Sequence, residues 1–417
     1  MRKYYDRPFA ELEKIPEKRT DRGHCFWWRI LERRNAVEKV RKEALNMKPH
    51  AEALPSLVIK GKTIKIPIIQ GGMGVGVSLS PLASAVAAEG GVGIVSSAAL
   101  DRLVSKRTGK KHTTYEAAFE EISQAKAKGG ISGINIMVAL IQDYEDSVKG
   151  AIDAGADVII SGAGLPLNLP VIQHPGETAL IPIVSSARAL ELICKKWERL
   201  GYRPDAVVLE GPLAGGHLGF KFEDIYLESN KLENLLPPVK EVAEKHGDFP
   251  VIVAGGIYTH DDIVIFLKMG ADGVQMGTRF LVAEECSATD AYKQAVIDAR
   301  KEDILVAQHP GSPCGLPFMV IKESPAFRRA LEQKRKPRCN KGYVLRPDRE
   351  GRFTQCRGRI DDGGAFCICN GLLSSAGYNP LEEDPLYTVG ANGYRIDRLT
   401  TVKELMAELT GRTIGNR

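Results

Sequence analysis

The strongest constraint on how this chain folds is the spacing of eight short apolar runs. They are Pro67–Gln70, Val92–Ser96, Gly133–Val138, Val158–Ser161, Ile181–Ser185, Ala206–Glu210, Pro250–Ala254 and Gly273–Met276. Their starts lie 25, 41, 25, 23, 25, 44 and 23 residues apart. A strand, a loop, a helix and a return turn need about that many residues, so the spacing is that of successive βαβ units in a parallel sheet. The runs are apolar throughout and do not alternate, as expected of strands covered on both faces. Two of them follow matching phrases, Ala154-Gly155-Ala156-Asp157 and Met269-Gly270-Ala271-Asp272, in which a helix ends at glycine and a strand begins. The pattern predicts an α/β fold, a closed TIM (β/α)8 barrel. A doubly wound open sheet is the competing architecture, and eight units count against it.

Around this core the texture differs. Residues 1–60 read as a charged helical arm, clearest at WWRILERRNAVEKVRKEALNM, with Trp27 and Trp28 expected to pack onto a body. The barrel and following helices occupy 61–325; of the two helical segments after the last strand, ATDAYKQAVIDARKED lies within that range and SPAFRRALEQKRK starts at its end and runs on into the extension. Residues 326–417 form a cysteine-containing extension that ends in the short amphipathic helix TVKELMAELTG. The uncharged run from Ile66 to Ala88 contains Pro67, Gln70 and Pro81, so it reads as strand, loop and helix start, not as a membrane span.

Lys and Arg total 57 against 52 Asp and Glu, a net charge of +5. That balance argues for neither a nucleic acid nor a membrane partner. The first residues lack the apolar core of a signal peptide, so the cytoplasm is the expected location. Eight cysteines in 417 residues do not suggest a disulfide scaffold. Four of them, Cys339, Cys356, Cys367 and Cys369, fall close together, and thiolates suit zinc or an iron–sulfur cluster. Gaps of 17 and 11 followed by Cys-x-Cys are not a standard ligand spacing, so the segment is expected to be structural, with these four as the candidates should a metal be held. Cys25 and Cys314 would join them if the arm folded back.

Glycine makes up 42 of 417 residues, about one in ten against a typical ~7%. The excess gathers at the C-terminal ends of the expected strands, where barrels place their chemistry. The first strand runs into Gly71-Gly72-Met73-Gly74, the fourth into Gly162-Ala163-Gly164, and the sixth into Gly211 and then Gly215-Gly216. The seventh ends in Gly255-Gly256 and the eighth in Gly277-Thr278. Any one such loop is explained as a tight turn. Five at one end, two of them at the position where barrels bind phosphate, point to a phosphorylated ligand. No regular G-x-G-x-x-G fingerprint, P-loop, HExxH or G-x-S-x-G is present. His217, in Leu213-Ala214-Gly215-Gly216-His217-Leu218-Gly219, follows the sixth strand among residues too small to bury it. An imidazole there suits proton transfer at neutral pH. Of the other histidines only His309 is placed to reach the same mouth.

Five segments in this order carry a resemblance: Pro67-Ile68-Ile69-Gln70-Gly71-Gly72-Met73, Gly133-Ile134-Asn135, Glu210 through Gly219 (EGPLAGGHLG), Val253-Ala254-Gly255-Gly256-Ile257, and Gly270 through Phe280 (GADGVQMGTRF). Together they resemble the FMN-dependent nitronate monooxygenases, formerly 2-nitropropane dioxygenases, and the related FMN-dependent enoyl-acyl-carrier-protein reductases, over residues 61 to about 325. The resemblance implies FMN as cofactor. Gly71, Gly72 and Met73 would line its ring with backbone groups, and Asn135 would bond the ring or ribityl chain. Gly255, Gly256, Gly277 and Thr278 would hold the phosphate. Gly215 and Gly216 would border the cofactor beside His217, and Ser185, with Ser186, is a weaker contact. His217 would match the family's active-site histidine, a base or a group that polarises the substrate.

Three functions follow as expectations. The first is oxidation of alkyl nitronates with O2. The second is NAD(P)H-fed reduction of an enoyl thioester, and the third is a non-catalytic barrel that binds a phosphorylated ligand. A titratable His217 in a glycine loop argues against the third, and the sequence does not separate the first two. A homodimer is the expected assembly, because the Trp pair and the extension need a covering surface.

Overall fold

The computed structural model describes residues 53–313, 315–332, 365–378 and 383–412, and the backbone of 346–347 and 353–355. The chain divides into two compact units, Met1–Met47 and Lys48–Arg417. The description concerns the second. The expected arm helix with Trp27 and Trp28 lies outside the described residues, as do Cys25, Cys314, Cys339 and Cys356.

Eight parallel strands close into a barrel: β1 Ile68–Gln70, β2 Val92–Ser96, β3 Ile131–Met137, β4 Val158–Gly162, β5 Ala179–Val184, β6 Val207–Glu210, β7 Val251–Ala254 and β8 Gly273–Met276. Each pairs with the next in sequence. The ring closes through Val274↔Ile68, Gln275↔Ile69 and Met276↔Gln70. All eight expected strands are present in the expected order, each with ends within two residues of those read from sequence. The open-sheet alternative is excluded.

The uniformly apolar runs resolve into two faces. Ile69, Ile94, Ile160, Ile181, Val208 and Ile252 point inward and fill the barrel. Their neighbours Ile68, Val95, Ile159, Leu180, Leu209 and Val253 point outward against the helices. Both sets are almost fully buried, so truncating one to alanine costs about 2–5 kcal/mol. The matching Ala-Asp phrases have a mechanical role. The carboxylate of Asp157 accepts from the Ser132 amide and from Lys126, and that of Asp272 accepts from the Val251 amide and from Lys240. Each aspartate thus clamps the start of one strand to its neighbour. Thr113–Glu116, Thr259–Asp262 and Thr401–Glu404 form capping boxes that start helices Thr114–Lys126, His260–Lys268 and Val402–Leu409.

The N-terminal end of the barrel is plugged. A hairpin of strands Leu57–Ile59 and Lys62–Ile64 turns through Lys60 and Gly61. It buries Leu57, Ile59 and Ile64 in the same cluster as the barrel interior. Among the described residues, the barrel interior opens at its C-terminal end.

Two features after β8 were not read from sequence. Where only helices were expected, strands Ile304–Ala307 and Phe318–Ile321 pair antiparallel, and Phe318 pairs with His217. The expected helices are present at Asp290–Asp298, Pro325–Leu331 and Val402–Leu409. The extension adds helix Ile368–Ser375, which packs over the barrel mouth with Val75, Ala98, Leu140 and Phe318. No helix among the described residues is long and apolar enough to cross a membrane.

Candidate active site

The barrel opens onto a cavity of about 730 Å³. The cofactor candidates and His217 line it: Gly71, Gly72 and Met73 after β1, Asn135 on β3, Ser185 after β5, and Gly215, Gly216 and His217 after β6. Gly255 and Gly256 after β7, and Gly277 and Thr278 after β8, complete the set. His309 does not reach it, being exposed in a turn outside the lining.

Strand parity explains the floor. Asn135, Glu210 and Gln275 sit at inward positions at the tops of β3, β6 and β8, where the apolar interior layers end. The loop after β1 lies directly over two of them. A Cβ on Gly72 would stand 2.4 Å from Asn135 Cβ, and one on Gly71 would stand 3.3 Å from Gln275 Cγ. Gly72 is therefore required by close approach, not by a turn. The amide of Gly71 already donates to Met276 O, and that of Met73 to Ser78 Oγ.

Two floor groups went unread in the sequence. Gln275 Oε1 is buried and has no hydrogen-bond partner among the described residues. An orphaned buried acceptor costs about 1–3 kcal/mol, a cost that a ligand N–H would remove. Glu210 faces the same space, and burial alone pushes its carboxyl up to about 7. At neutral pH it therefore exists as a mixture of acid and carboxylate, able to donate as well as accept. Both stand in segments that carry the family resemblance, EGPLAGGHLG and GADGVQMGTRF, but outside the glycine and histidine positions read there. The sign available in the sequence was polarity at the C-terminal end of an otherwise apolar strand.

Gly255 (φ +96) and Gly256 (φ +89) hold left-handed conformations, and a Cβ on Gly255 would stand 2.8 Å from Gly211 O. This backbone can approach an anion only because both are glycine. The Thr278 hydroxyl accepts from the Gly390 amide at 3.0 Å, which leaves its own hydrogen to donate. Asn392 Nδ2 donates to Gly256 O. Residues 390–392 thus brace both loops from the extension. Arg279, the next residue of the MGTRF phrase, turns away from the cavity to pair with Glu408 and stack on Tyr258.

His217 is not on a free loop. Gly216–His217 form a two-residue strand against Phe318–Ile321, because the Phe318 and Met319 backbone supplies a pairing edge. The Phe318 ring meets the imidazole at 4.9 Å and 80°, and it packs in turn on Phe366 at 5.7 Å. The extension therefore reaches the histidine through two buried rings. Ser185 Oγ donates to Gly219 O and ties β5 to the same segment. Ser186 caps helix Ala187–Glu198 and is not part of the lining.

The roof comes from the extension: Ile368, Cys369, Leu372, Thr388, Val389 and Gly390. Cys367 is buried at the start of the helix. Among the described residues, no group of three or more His, Cys, Asp or Glu is placed to hold a metal ion. Burial raises the thiols of Cys194 to about 12 and Cys286 to about 11, so neither is a thiolate at neutral pH.

This arrangement suits a flavin mononucleotide. Left-handed glycines and a hydroxyl can meet its phosphate, and Asn135 and the orphaned Gln275 acceptor can meet its polar ring edge. A glycine face lets the flat ring lie against backbone.

The nitronate monooxygenase family pattern matches residues 56–411, which includes the extension as far as its last helix. The chain is 28% identical over 265 residues to a probable nitronate monooxygenase of Staphylococcus saprophyticus, covering 58% of this chain and 72% of that protein. It is 29% identical over 261 residues to the (3aS,4S,5R,7aS)-5-hydroxy-7a-methyl-1-oxo-octahydro-1H-indene-4-carboxyl-CoA dehydrogenase of Mycobacterium tuberculosis, covering 62% and 64%. Among solved structures, a FabK mutant from Thermotoga maritima superposes with a TM-score of 0.58 at 25% identity, covering 83% and 91%.

Proposed function

The chain belongs to the nitronate monooxygenase family and is a flavin-dependent oxidoreductase acting on small molecules, and from that premise we propose that it holds FMN and oxidises alkyl nitronates with O2. The observation that carries this reading is the setting of His217. The imidazole is fixed by strand pairing and by the Phe318 ring in the wall of the cavity whose glycine loops suit the cofactor.

In this reading Gly255, Gly256, Gly277 and Thr278 hold the FMN phosphate. Gly71, Gly72 and Met73 lie against the ring. Asn135 and Gln275 bond its polar edge, with Gly215, Gly216 and Ser185 at its border. Bound FMN supplies the electron relay from substrate to O2. The C–N bond of the nitronate would break and nitrite leave while dioxygen supplies the oxygen placed on carbon, so that two nitronates and one O2 give two carbonyls and two nitrites. His217 has two uses. Protonated on both ring nitrogens, it attracts the nitronate oxygens; neutral, it takes the α-proton of a nitroalkane at its free ring nitrogen. Glu210, with its carboxyl near neutrality, completes a polar floor that holds a proton below about pH 7.

A second reading has its own support. One side of the cavity is apolar, and the likeness to FabK favours an NAD(P)H-dependent reductase of enoyl thioesters. Anaerobic mixing separates the two. Bleaching of the flavin band by ethyl nitronate, with no bleaching by NADH or NADPH, is the expected result. Rapid bleaching by a nicotinamide and none by nitronate would replace the first reading with the second.

A further inference from the structure

The cavity is chemically split. The charged residues that line it, Glu210 and Lys221, both belong to the segment that starts at the end of β6, as does His217. Among the described residues the opposite side has none. It is formed by Val75 after β1, Ala98 and Ala99 after β2, Met137 and Leu140 at the end of β3, and Ile368 and Leu372 on the helix of the extension. These side chains belong to one buried apolar cluster, distinct from those around and inside the barrel. The apolar lining continues outward to Leu165 and Leu316, which are 36% and 44% exposed. A volume of about 730 Å³ is in the upper part of the roughly 300–1,000 Å³ that ligand pockets span.

We infer that the apolar side is a subsite for an unbranched hydrocarbon tail, with Ile368 and Leu372 of the extension setting the length it accepts. The inference rests on the proposed reading for the identity of the reacting group and adds the class of substrate: one with a medium-length alkyl chain. The tail lies along Leu140, Ile368 and Leu372 while the reacting carbon stays beside His217, and chains beyond the depth of the subsite exit between Leu165 and Leu316. A wall of apolar side chains gives length selectivity without end-group selectivity. Each methylene removed from water there should improve binding about three- to fourfold.

The test uses the flavin-loaded full chain and the nitronates of nitroethane through 1-nitrooctane. kcat/KM is expected to climb about three- to fourfold per added methylene over the first several members. Leu372→Trp, which fills the subsite, should reduce the octyl-to-ethyl ratio of kcat/KM at least tenfold at full flavin occupancy. Ile368→Phe should act in the same direction and serves if Leu372→Trp does not fold. A flat series in the parent, or a ratio unmoved by both variants, overturns the inference. Binding of unbranched carboxylates from propanoate to decanoate, read from the flavin absorbance, keeps it separate from the reaction. Affinity that climbs with length and flattens in Leu372→Trp, with no nitronate turned over, keeps the subsite and removes the nitronate reading. Nitronates turned over with no dependence on length keep the reaction and remove the subsite.

Discussion

The two sides of the cavity are built by different means. The side after β6, β7 and β8 is rich in exposed backbone: Gly215, Gly216, Gly255, Gly256 and Gly277, three of them in left-handed conformations, with His217 and the Thr278 hydroxyl among them. The side after β1, β2 and β3 ends in side chains, Val75, Leu140, Ile368 and Leu372, drawn from segments up to 297 positions apart. Much of this backbone surface tolerates no substitution: a side chain strains φ at Gly216, Gly255 and Gly256, and a Cβ at Gly215 meets the Val389–Gly390 backbone at 2.8 Å. A side-chain surface can be reshaped one residue at a time with little effect on the barrel. Cofactor chemistry and substrate choice therefore rest on opposite walls, and each can be broken separately.

The largest effect is expected on the backbone side. Gly256→Val forces a β-branched residue into φ +89, with its Cβ 3.0 Å from Leu213 Cβ. The protein should keep its barrel, as read by far-UV circular dichroism, and purify without flavin. A flavin-replete Gly256→Val would place the phosphate elsewhere. The flavin released from the parent by heat should be FMN on chromatography, and FAD there would remove the single-nucleotide reading. Next in size is His217→Asn. FMN should stay bound, since the phosphate and ring contacts come from other loops, while turnover falls by ~10²–10⁴-fold. The loss should be greater for neutral nitroalkane than for nitronate, because the nitronate has already lost its proton. Equal activity of variant and parent on both forms would reduce His217 to a packing residue.

The same contrast explains what could be read in advance. The barrel was legible because its strands are continuous apolar runs at βαβ spacing, and the glycine wall because each loop directly continues such a run. Local sequence also marked Gly72, although its reason, contact with Asn135 Cβ, is a tertiary fact. The apolar wall was not legible. Ile368 and Leu372 sit in a short, almost wholly buried helix, Ile368–Ser375, and nothing local indicates that it closes over β1–β3. The strand Phe318–Ile321 escaped notice because it pairs with only two residues of the His217 segment and one short strand. Glu210 was in view inside EGPLAGGHLG, yet its proton affinity is set by burial, which spacing does not reveal.

Glu210 tests how dry the boundary between the two walls is. Its carboxyl is raised from 4.5 to about 7 by burial. The folded chain thus holds the proton more tightly than the unfolded one. The resulting stability is fully present below about pH 4.5 and is lost as pH rises through about 7. Glu210→Gln does not titrate, so in flavin-loaded protein its melting temperature should exceed the parent's at pH 8 and approach it at pH 5. The gap at pH 8 corresponds to at most about 3 kcal/mol. A gap that does not change between these pH values would mean that water reaches the carboxyl and that the floor is wet.

The smallest expected effect asks whether the extension serves the backbone wall as well as the apolar one. Asn392 Nδ2 donates to Gly256 O, and Gly390 N donates to Thr278 Oγ1, so the extension touches both loops assigned to the phosphate. Asn392→Ala removes one of these bonds and leaves the Gly256 carbonyl to water or to nothing. A single neutral hydrogen bond is worth about 0.5–1.5 kcal/mol, so the FMN dissociation constant should rise about two- to tenfold. Because Asn392 is absent from the cavity lining, the preference among nitronates of different length should stay as in the parent. Titration of flavin into stripped protein measures the first quantity, and steady-state kinetics at saturating FMN the second. A changed chain-length preference with unchanged FMN affinity would put Asn392 on the substrate side and redraw the boundary between the walls. Weaker FMN binding alone would show that the extension supports both walls while keeping their functions apart.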